Sequence, residues 1–351
     1  MKQFKAYAFI ILLIVLIIPS VVFALWWNPF SWSLHDIFDT FSKPQTSISN
    51  QNNNSNEPAK KVGPLIGKKI IDQPSDVFGA INTDSNGNIY VLCARSNRIS
   101  KYDQNGNVIN LDFIKYVSGF ELFLDSNDNL YLSDYHSKTI KKYDKNGTVI
   151  SYSLVPNNDQ YSDLVFAIDK NNNYIYVIDF LNEDENQERA VSKYKLDGSL
   201  VAKNIIKGIN DDSSEIRVDE NGNIYLFQRY DGIISKYDKR GKLLNKKLVF
   251  NDPVGGGGQN YGFTLDDKGN IYIIGSVLNG GSPVVMFDKN GKMVNSNLIS
   301  WTSEDGVFPR EVLTFGAKNN SLYIIGELNE KIGPNHYSAS NPDALVFSYQ
   351  F

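Results

Sequence analysis

Short apolar runs alternate with tight polar turns along residues 75–351. The recurring unit reads apolar strand, Asp-x-x-Gly-Asn, Ile-Tyr-apolar, loop, Ile-x-Lys-Tyr-Asp, x-x-Gly and an apolar pair. One tyrosine recurs in every copy, at spacings of 41, 45, 49, 47 and 51 residues: Tyr90, Tyr131, Tyr176, Tyr225, Tyr272 and Tyr323. This period is typical of the blades of a β-propeller.

Each unit predicts a four-stranded antiparallel sheet. Asn-Gly, Asp-Gly and Lys-Gly dipeptides separate the apolar runs and supply the positive φ that two-residue hairpins require. A sheet of this kind has two faces to cover and two open edges, and six sheets packed around a ring cover them. The predicted fold class is therefore all-β, a six-bladed β-propeller with four-stranded blades.

The two ends of the repeat region predict how the ring closes. The sixth copy ends at Phe351, directly after its third strand, and so lacks an outer strand. Pro64–Asp72 is a strand-like run with no hairpin partner of its own. We predict that this early run is the outer strand of the last blade.

The repeat units resemble those of NHL-repeat propellers. Blade one carries the resemblance best, in Gly87-Asn88-Ile89-Tyr90-Val91, Asn97-Arg98-Ile99 and Tyr102-Asp103. The resemblance covers residues 64–351, although the third, fifth and sixth copies lack the Asn-Arg-Ile element. It implies the propeller fold but not one activity, because such propellers include enzymes, ligand binders and scaffolds.

The N-terminus predicts export from the cytoplasm. Lys2 and Lys5 precede an apolar stretch, Ala6–Trp27, whose 22 residues are long enough to span a bilayer as a helix. The leading lysines favour a cytoplasmic N-terminus. Residues 1–28 are thus predicted to be a transmembrane signal anchor, or a cleaved signal peptide ending near Val22-Phe23-Ala24. In both cases the remainder lies outside the cytoplasm, either held at the cell membrane or secreted.

Two further segments complete the predicted domain organisation. Residues 29–61 are a juxtamembrane segment and a linker: Ser31–Phe41 can form an amphipathic helix or a simple connector, and Ser42–Lys60 has the Asn/Ser-rich composition of a flexible tether. Residues 62–351 form the predicted propeller.

Charge and cysteine content exclude several functions. The net charge of -4 and the scattered lysines provide no continuous basic surface, so nucleic acid is not an expected partner. Cys93 is the single cysteine and lies in an apolar run, which excludes an intrachain disulfide and a thiolate-rich metal site. No cofactor motif is present, and Gly255–Gly258 lacks the helix and Lys-Ser/Thr of a phosphate-binding loop.

Ligands are expected at the end of the propeller that carries irregular loops, since binding residues usually lie on such loops. The starts of the inner strands carry carboxylates that we predict to surround the channel mouth, where they either bind a hard cation or cationic ligand or simply solvate the channel: Asp76, Glu121, Asp163, Glu215 and Glu311. Aromatic or basic residues on the same loops are candidates for contacting a sugar or peptide: Tyr135, His136, Arg229, Tyr230 and Trp301.

Metal binding stays open at this stage. Resemblance to propeller lactonases and lyases implies a carboxylate and Asn site or a His cluster, but no such constellation maps onto this chain. The Asp-x-Asn-Gly-Asn turns are not calcium loops of the EF-hand type, because the twelfth positions counted from Asp84, Asp125 and Asp219 are Arg95, His136 and Tyr230.

The sequence favours a non-enzymatic binding or scaffolding module for protein or glycan ligands at the outer surface of the cell. The alternative is a cation-assisted lyase or hydrolase of the propeller type that acts on exported substrates.

Overall fold

The computed structural model describes residues 68–73, 76–134, 136–156, 164–180, 189–209, 215–229, 232–250, 260–275, 284–299, 307–316, 321–333 and 336–350. The predicted anchor, juxtamembrane segment and linker lie outside this part of the chain. Within it, no helix has the length and apolar character that crossing a membrane requires.

The regular secondary-structure elements among the described residues are all strands. In chain order these are β1 Lys68–Gln73, β2 Phe78–Thr83, β3 Ile89–Cys93, β4 Arg98–Tyr102, β5 Val108–Lys115, β6 Gly119–Leu124, β7 Leu130–Asp134, β8 Thr139–Tyr143, β9 Val149–Pro156, β10 Val165–Asp169, β11 Tyr174–Phe180, β12 Arg189–Lys195, β13 Leu200–Ile209, β14 Glu215–Val218, β15 Ile224–Gln228, β16 Ile233–Tyr237, β17 Leu243–Val249, β18 Asn260–Leu265, β19 Ile271–Gly275, β20 Val284–Phe287, β21 Met293–Ile299, β22 Val307–Gly316, β23 Ser321–Gly333 and β24 His336–Gln350.

Six four-stranded antiparallel sheets confirm the predicted propeller. Five consist of consecutive strands: β2–β5, β6–β9, β10–β13, β14–β17 and β18–β21 are blades 1 to 5. The sixth has the order β1-β24-β23-β22, so its outer strand comes from the beginning of the propeller. Lys68 pairs with Ser348 and Gln73 with Ala344. The predicted closure is therefore correct.

The first strand of each blade lines the centre of the ring. Contacts between these inner strands run from β2 to β6, β10, β14, β18 and β22, and from β22 back to β2. The second strands are fully covered: all five residues of β3, and likewise of β7 and β19, are buried. Neighbouring blades cover both faces of these strands, which is why they read as continuous apolar runs.

The hydrophobic core is divided among the blade junctions. Tyr323 and Val346 of blade 6 pack with Phe78 and Val91 of blade 1, for example. Five further clusters join blades 1 and 2, 2 and 3, 3 and 4, 4 and 5, and 5 and 6. Because each apolar face is buried only against the next blade, a single blade cannot bury its own core.

The hairpin turns differ from the expected two-residue type. Between β2 and β3, the amide of Gly87 donates to the Asp84 carbonyl and the amide of Asp84 donates to the Asn88 carbonyl, at 3.0 Å each. Gly87 has φ 82°, so a tight turn is followed by one left-handed residue in a longer loop. The Asp84 side chain favours this form, since it accepts from the backbone amides of Asn86 and Asn88.

These turns define two ends of the propeller. We call the end that carries the turns after the first and third strands, such as residues 84–88 and 103–107, the turn face. The opposite end, which carries residues 94–97 and 116–118, is the loop face.

Candidate functional site

The aspartates of the turn face have a structural role. Asp125 is 2% exposed, and its carboxylate accepts hydrogen bonds from the backbone amides of Asn127 and Asn129, from the side-chain amide of Asn129 and from the hydroxyl of Tyr131. The same pattern surrounds Asp84, Asp219 and Asp266. Donors face both oxygens, so these carboxylates are not cation ligands.

In four of the blades the repeating tyrosine is thus held by the aspartate six residues before it: Tyr90, Tyr131, Tyr225 and Tyr272. Burial and the carboxylate charge of Asp125 raise the pKa of Tyr131 far above its usual value, and Asp84 does the same for Tyr90. The phenol therefore remains a hydrogen-bond donor. This pair explains why Asp and Tyr recur together in the sequence.

A charged cluster occupies the centre of the ring near the loop face. Glu121 lies in β6 of blade 2, whereas Glu215 and Arg217 lie in β14 of blade 4. Arg217 Nη2 is 3.3 Å from Glu215 Oε2, and Arg217 Nη1 is 3.8 Å from Glu121 Oε1. The guanidinium therefore joins carboxylates of two blades that are not adjacent. We call Glu121, Glu215, Arg217 and Arg229 the channel cluster.

Aromatic rings on both sides hold Arg217 in place. Its guanidinium carbon is 5.5 Å from the ring centres of Phe123 in blade 2 and Phe263 in blade 5. Nη1 also donates to the Ile216 carbonyl at 2.8 Å. The side chain is only 13% exposed, so its cation–π contacts and ion pairs are largely shielded from water.

Glu215 is the most enclosed member of the channel cluster. Its side chain is 7% exposed, and Oε1 accepts from Nε of Arg229 at 2.6 Å and forms an ion pair with Nη2 of the same residue. Oε2 faces Arg217 and lies 3.5 Å from the amide of Phe263. A Cβ added at Gly262 would lie 3.4 Å from Glu215 Oε1, an ordinary van der Waals contact, so the carboxylate packs directly against this strand.

Asp76 lies elsewhere. It is 3% exposed, accepts from the Ser96 hydroxyl and the Val77 amide, and lies 3.8 Å from Arg98, which also binds Asp112 of the outer strand. These contacts tie together the first, third and fourth strands of blade 1. The structure therefore brings Glu121 and Glu215 together and gives Asp76 a separate, structural environment.

The remaining predicted residues are placed only in part. Glu311 lies in β22, but its side chain is outside the described part of the chain. His136 is exposed on the loop face after β7. The other four lie outside the described residues: Tyr135, Asp163, Tyr230 and Trp301.

Arg217 is the residue that sequence reasoning missed. It stands two positions before the turn aspartate, where the other four copies with this aspartate have Asn82, Phe123, Ala167 and Thr264. A charge at one repeat position that is otherwise uncharged was the available signal. The repeat alone does not reveal that this position faces the channel.

The described residues do not fit a divalent metal. No three His, Cys, Asp or Glu side chains within them are grouped as metal ligands. Glu121 and Glu215 already face arginines, and a guanidinium stands between them. A cation at that position would be repelled by Arg217.

Comparisons with known proteins agree on the fold. No family model matches the chain, and no curated protein matches it by sequence. Among solved structures, a gluconolactonase from Xanthomonas campestris is similar, with a TM-score of 0.55 and 15% identity over 82% of this chain and 91% of that one. These values show a shared fold.

Two further solved structures are similar at the same level. The calcium-binding protein regucalcin from Agrobacterium tumefaciens has a TM-score of 0.52 and 14% identity over 82% of this chain and 94% of that one. A streptogramin B lyase has a TM-score of 0.50 and 11% identity over 82% of this chain and 99% of that one. The resemblance to NHL-type repeats holds at the level of the six-bladed fold.

Proposed function

We propose that the chain is a propeller-type hydrolase or lyase whose substrate reaches the channel cluster from the loop face. The observation that carries this proposal is the Arg217 guanidinium between two carboxylates of different blades. Solved structures of similar fold that are named as a gluconolactonase and a lyase support an enzymatic function over a purely structural one.

Exposure and charge assign a role to each side chain. Glu121 is the more accessible carboxylate, with an 18% exposed side chain against 7% for Glu215. It is therefore the general base. Arg229 is 27% exposed and Arg217 is 13% exposed, and these are the groups that hold an oxyanion. Glu215 fixes both arginines.

Hydrolysis of a lactone or ester illustrates the chemistry. Glu121 accepts a proton from water as the water oxygen bonds to the carbonyl carbon, and the carbonyl π electrons move onto oxygen beside an arginine. The tetrahedral intermediate then re-forms the carbonyl and breaks the bond to the leaving oxygen. That oxygen takes the proton from Glu121, which restores the carboxylate. These steps use only the channel cluster, whose carboxylates face arginines.

The test measures proton release from a panel of lactones and esters by pH-stat titration with the full chain. We expect Glu121→Gln to lower kcat by about 100-fold or more, as the loss of a general base does. Glu220→Gln is the matched control, because Glu220 is exposed on a turn of the turn face. Equal activity of the two variants, or no hydrolysis of any compound, would refute the proposal.

A binding or scaffolding module remains the second candidate. The observation in its favour is that both channel carboxylates already pair with arginines, as in a site that is purely structural. A pull-down from envelope extracts with the full chain separates the two functions. Specific capture of a protein together with no proton release on any substrate would favour the module. The position of the propeller outside the cytoplasm stays a prediction.

A further inference from the structure

An open cleft lies on the turn face between blades 2 and 3, away from the channel cluster. Its volume is about 540 Å³, within the range of pockets that hold small organic ligands. We call it the interblade cleft, and its lining residues come from the turns and strand ends of both blades: Asp125, Asn127, Asn129, Lys142, Asn172, Asn173, Tyr174, Lys195, Leu196 and Asp197.

The cleft coincides with a departure from the repeat. Asp169 precedes its tyrosine, Tyr176, by seven residues, whereas six separate Asp84 from Tyr90. The additional residue places Asn173 in the left-handed region, with φ 59°. The Tyr176 hydroxyl donates to the Lys239 carbonyl of blade 4 instead of the turn carboxylate. Blade 3 therefore differs from the repeat at the place where the cleft opens.

Neighbouring junctions are closed by direct hydrogen bonds between inner turns. Ser85 of blade 1 donates through its amide and hydroxyl to Asp128 of blade 2, at 2.8 and 2.7 Å. Asn171 of blade 3 donates to the Glu220 carbonyl of blade 4 at 2.8 Å. Between blades 2 and 3, Lys142 Nζ donates to the Leu196 carbonyl at 3.1 Å, and the two inner turns line the cleft beside this bond.

The lining favours a neutral ligand rich in hydroxyl groups. Two lysines balance two aspartates, so the cleft has no net charge. The side-chain nitrogens of Asn129 and Asn172 donate to turn carboxylates, which leaves their amide oxygens to accept from a ligand. Asn127 and Asn173 are exposed and offer both donors and acceptors.

Tyr174 adds a fixed aromatic surface. Lys193 Nζ lies 3.7 Å from the centre of its ring and covers one of its two faces, and the ring also packs against the core cluster between blades 3 and 4; both contacts hold it in position. A rigid aromatic ring beside planar amides is the combination that binds a sugar, since the ring contacts C–H groups and the amides pair with hydroxyls. We propose that the interblade cleft binds a short neutral oligosaccharide.

The experiment is saturation-transfer NMR, followed by calorimetric titration, with maltotriose, cellotriose and triacetylchitotriose. It uses the full chain in a detergent without a sugar headgroup, because such a headgroup would compete. We expect binding of at least one of the three. Tyr174→Ala should raise its Kd about tenfold, the effect of losing one aromatic contact. Tyr152→Ala is the control, since Tyr152 is 70% exposed on the outer strand of blade 2.

A second variant distinguishes loss of the binding site from misfolding. Asn173→Gly removes the amide but keeps the positive φ, and should also weaken binding. Asn97→Gly is its matched control, because Asn97 has φ 51° and is exposed on the loop face. No transfer signal from any of the three sugars, or equal Kd values for Asn173→Gly and Asn97→Gly, would overturn the proposal.

Discussion

Arg217 of blade 4 and Glu121 of blade 2 face each other within the ring, with Nη1 and Oε1 3.8 Å apart. Blade 3 lies between their blades in the chain and in the ring. The contact therefore depends on the closed propeller and is absent from any single blade.

Removing the arginine should destabilise the propeller. Arg217→Met removes the guanidinium that faces Glu121 and one oxygen of Glu215, which should lower the free energy of unfolding by about 2 kcal/mol. Urea denaturation measures this loss. Arg240→Met, at an exposed residue of the turn face, should have little effect. Equal effects of the two substitutions would contradict the importance of the channel cluster.

Two buried tyrosines should respond oppositely to loss of the hydroxyl. Tyr131 donates to Asp125 at 2.9 Å, so Tyr131→Phe should cost about 1 to 2 kcal/mol of stability. Burial raises the pKa of the Tyr102 phenol, and Ser100 lies near enough to offset part of this rise. The buried hydroxyl nevertheless makes no hydrogen bond of good geometry among the described residues, so Tyr102→Phe should be neutral or stabilising. Thermal and urea unfolding of both variants test this difference. A greater loss in Tyr102→Phe would contradict the assigned bonds.

Ring closure should be sensitive at Gly106. This residue has φ +87°, and an added Cβ would lie 1.9 Å from the carbonyl oxygen of Ile70 in β1. Gly106→Ala should therefore lower stability by about 3 kcal/mol or more, from backbone strain and the displacement of β1. Gly208 has φ +76° with open space around it, so Gly208→Ala should cost about 1 kcal/mol. If urea unfolding shows similar losses of stability for Gly106→Ala and Gly208→Ala, the turn at Gly106 does not press on the closing strand β1.

Stability should decline in alkali. Burial raises the pKa of the Cys93 thiol from 9.0 to about 11 and, in blade 2, the pKa of Tyr143 to about 12. The unfolded chain therefore loses these protons first, and the stability they contribute is complete below pH 9 and falls as pH rises through 9 to about 11 and 12. The Cys93 contribution, from a pKa raised from 9.0 to about 11, is about 3 kcal/mol.

The pH dependence of unfolding checks this expectation. Cys93→Ala should flatten the decline between pH 9 and 11, because one buried titrating group is gone. The wild-type chain should react with a thiol reagent only after it unfolds. Cys93→Ala should not react even when unfolded. An undiminished slope, or fast labelling of the native wild-type thiol at neutral pH, would show that Cys93 is not buried as described.

Much of the fold was predictable because the repeat is a local signal. The spacing of Tyr90 and its equivalents identifies six sheets, and the unpaired run before Asp72 identifies the strand that closes them. The turn type was wrong in detail, since the Asp84 carboxylate stabilises a longer turn than the Asn-Gly dipeptide indicates.

The channel was only partly predictable. Carboxylates near the starts of the inner strands were expected together, and Glu121 and Glu215 do approach one arginine. Asp76, which has the same residue type and a similar place in the pattern, instead binds Ser96 within its own blade. One or two residues of register decide which way a side chain points in a strand, and bulges shift the register between Phe78 and Ala80 and between Gly119 and Leu122.

By itself, the sequence determined the number of blades, their strand order and the closing strand, because apolar periodicity and turn chemistry act between residues close in the chain. Only the tertiary structure decided that Arg217 joins blades 2 and 4 and that a cleft opens beside Tyr174. Both features depend on distances between separate blades, and those distances are set by ring closure and by small departures from the repeat that no local pattern encodes.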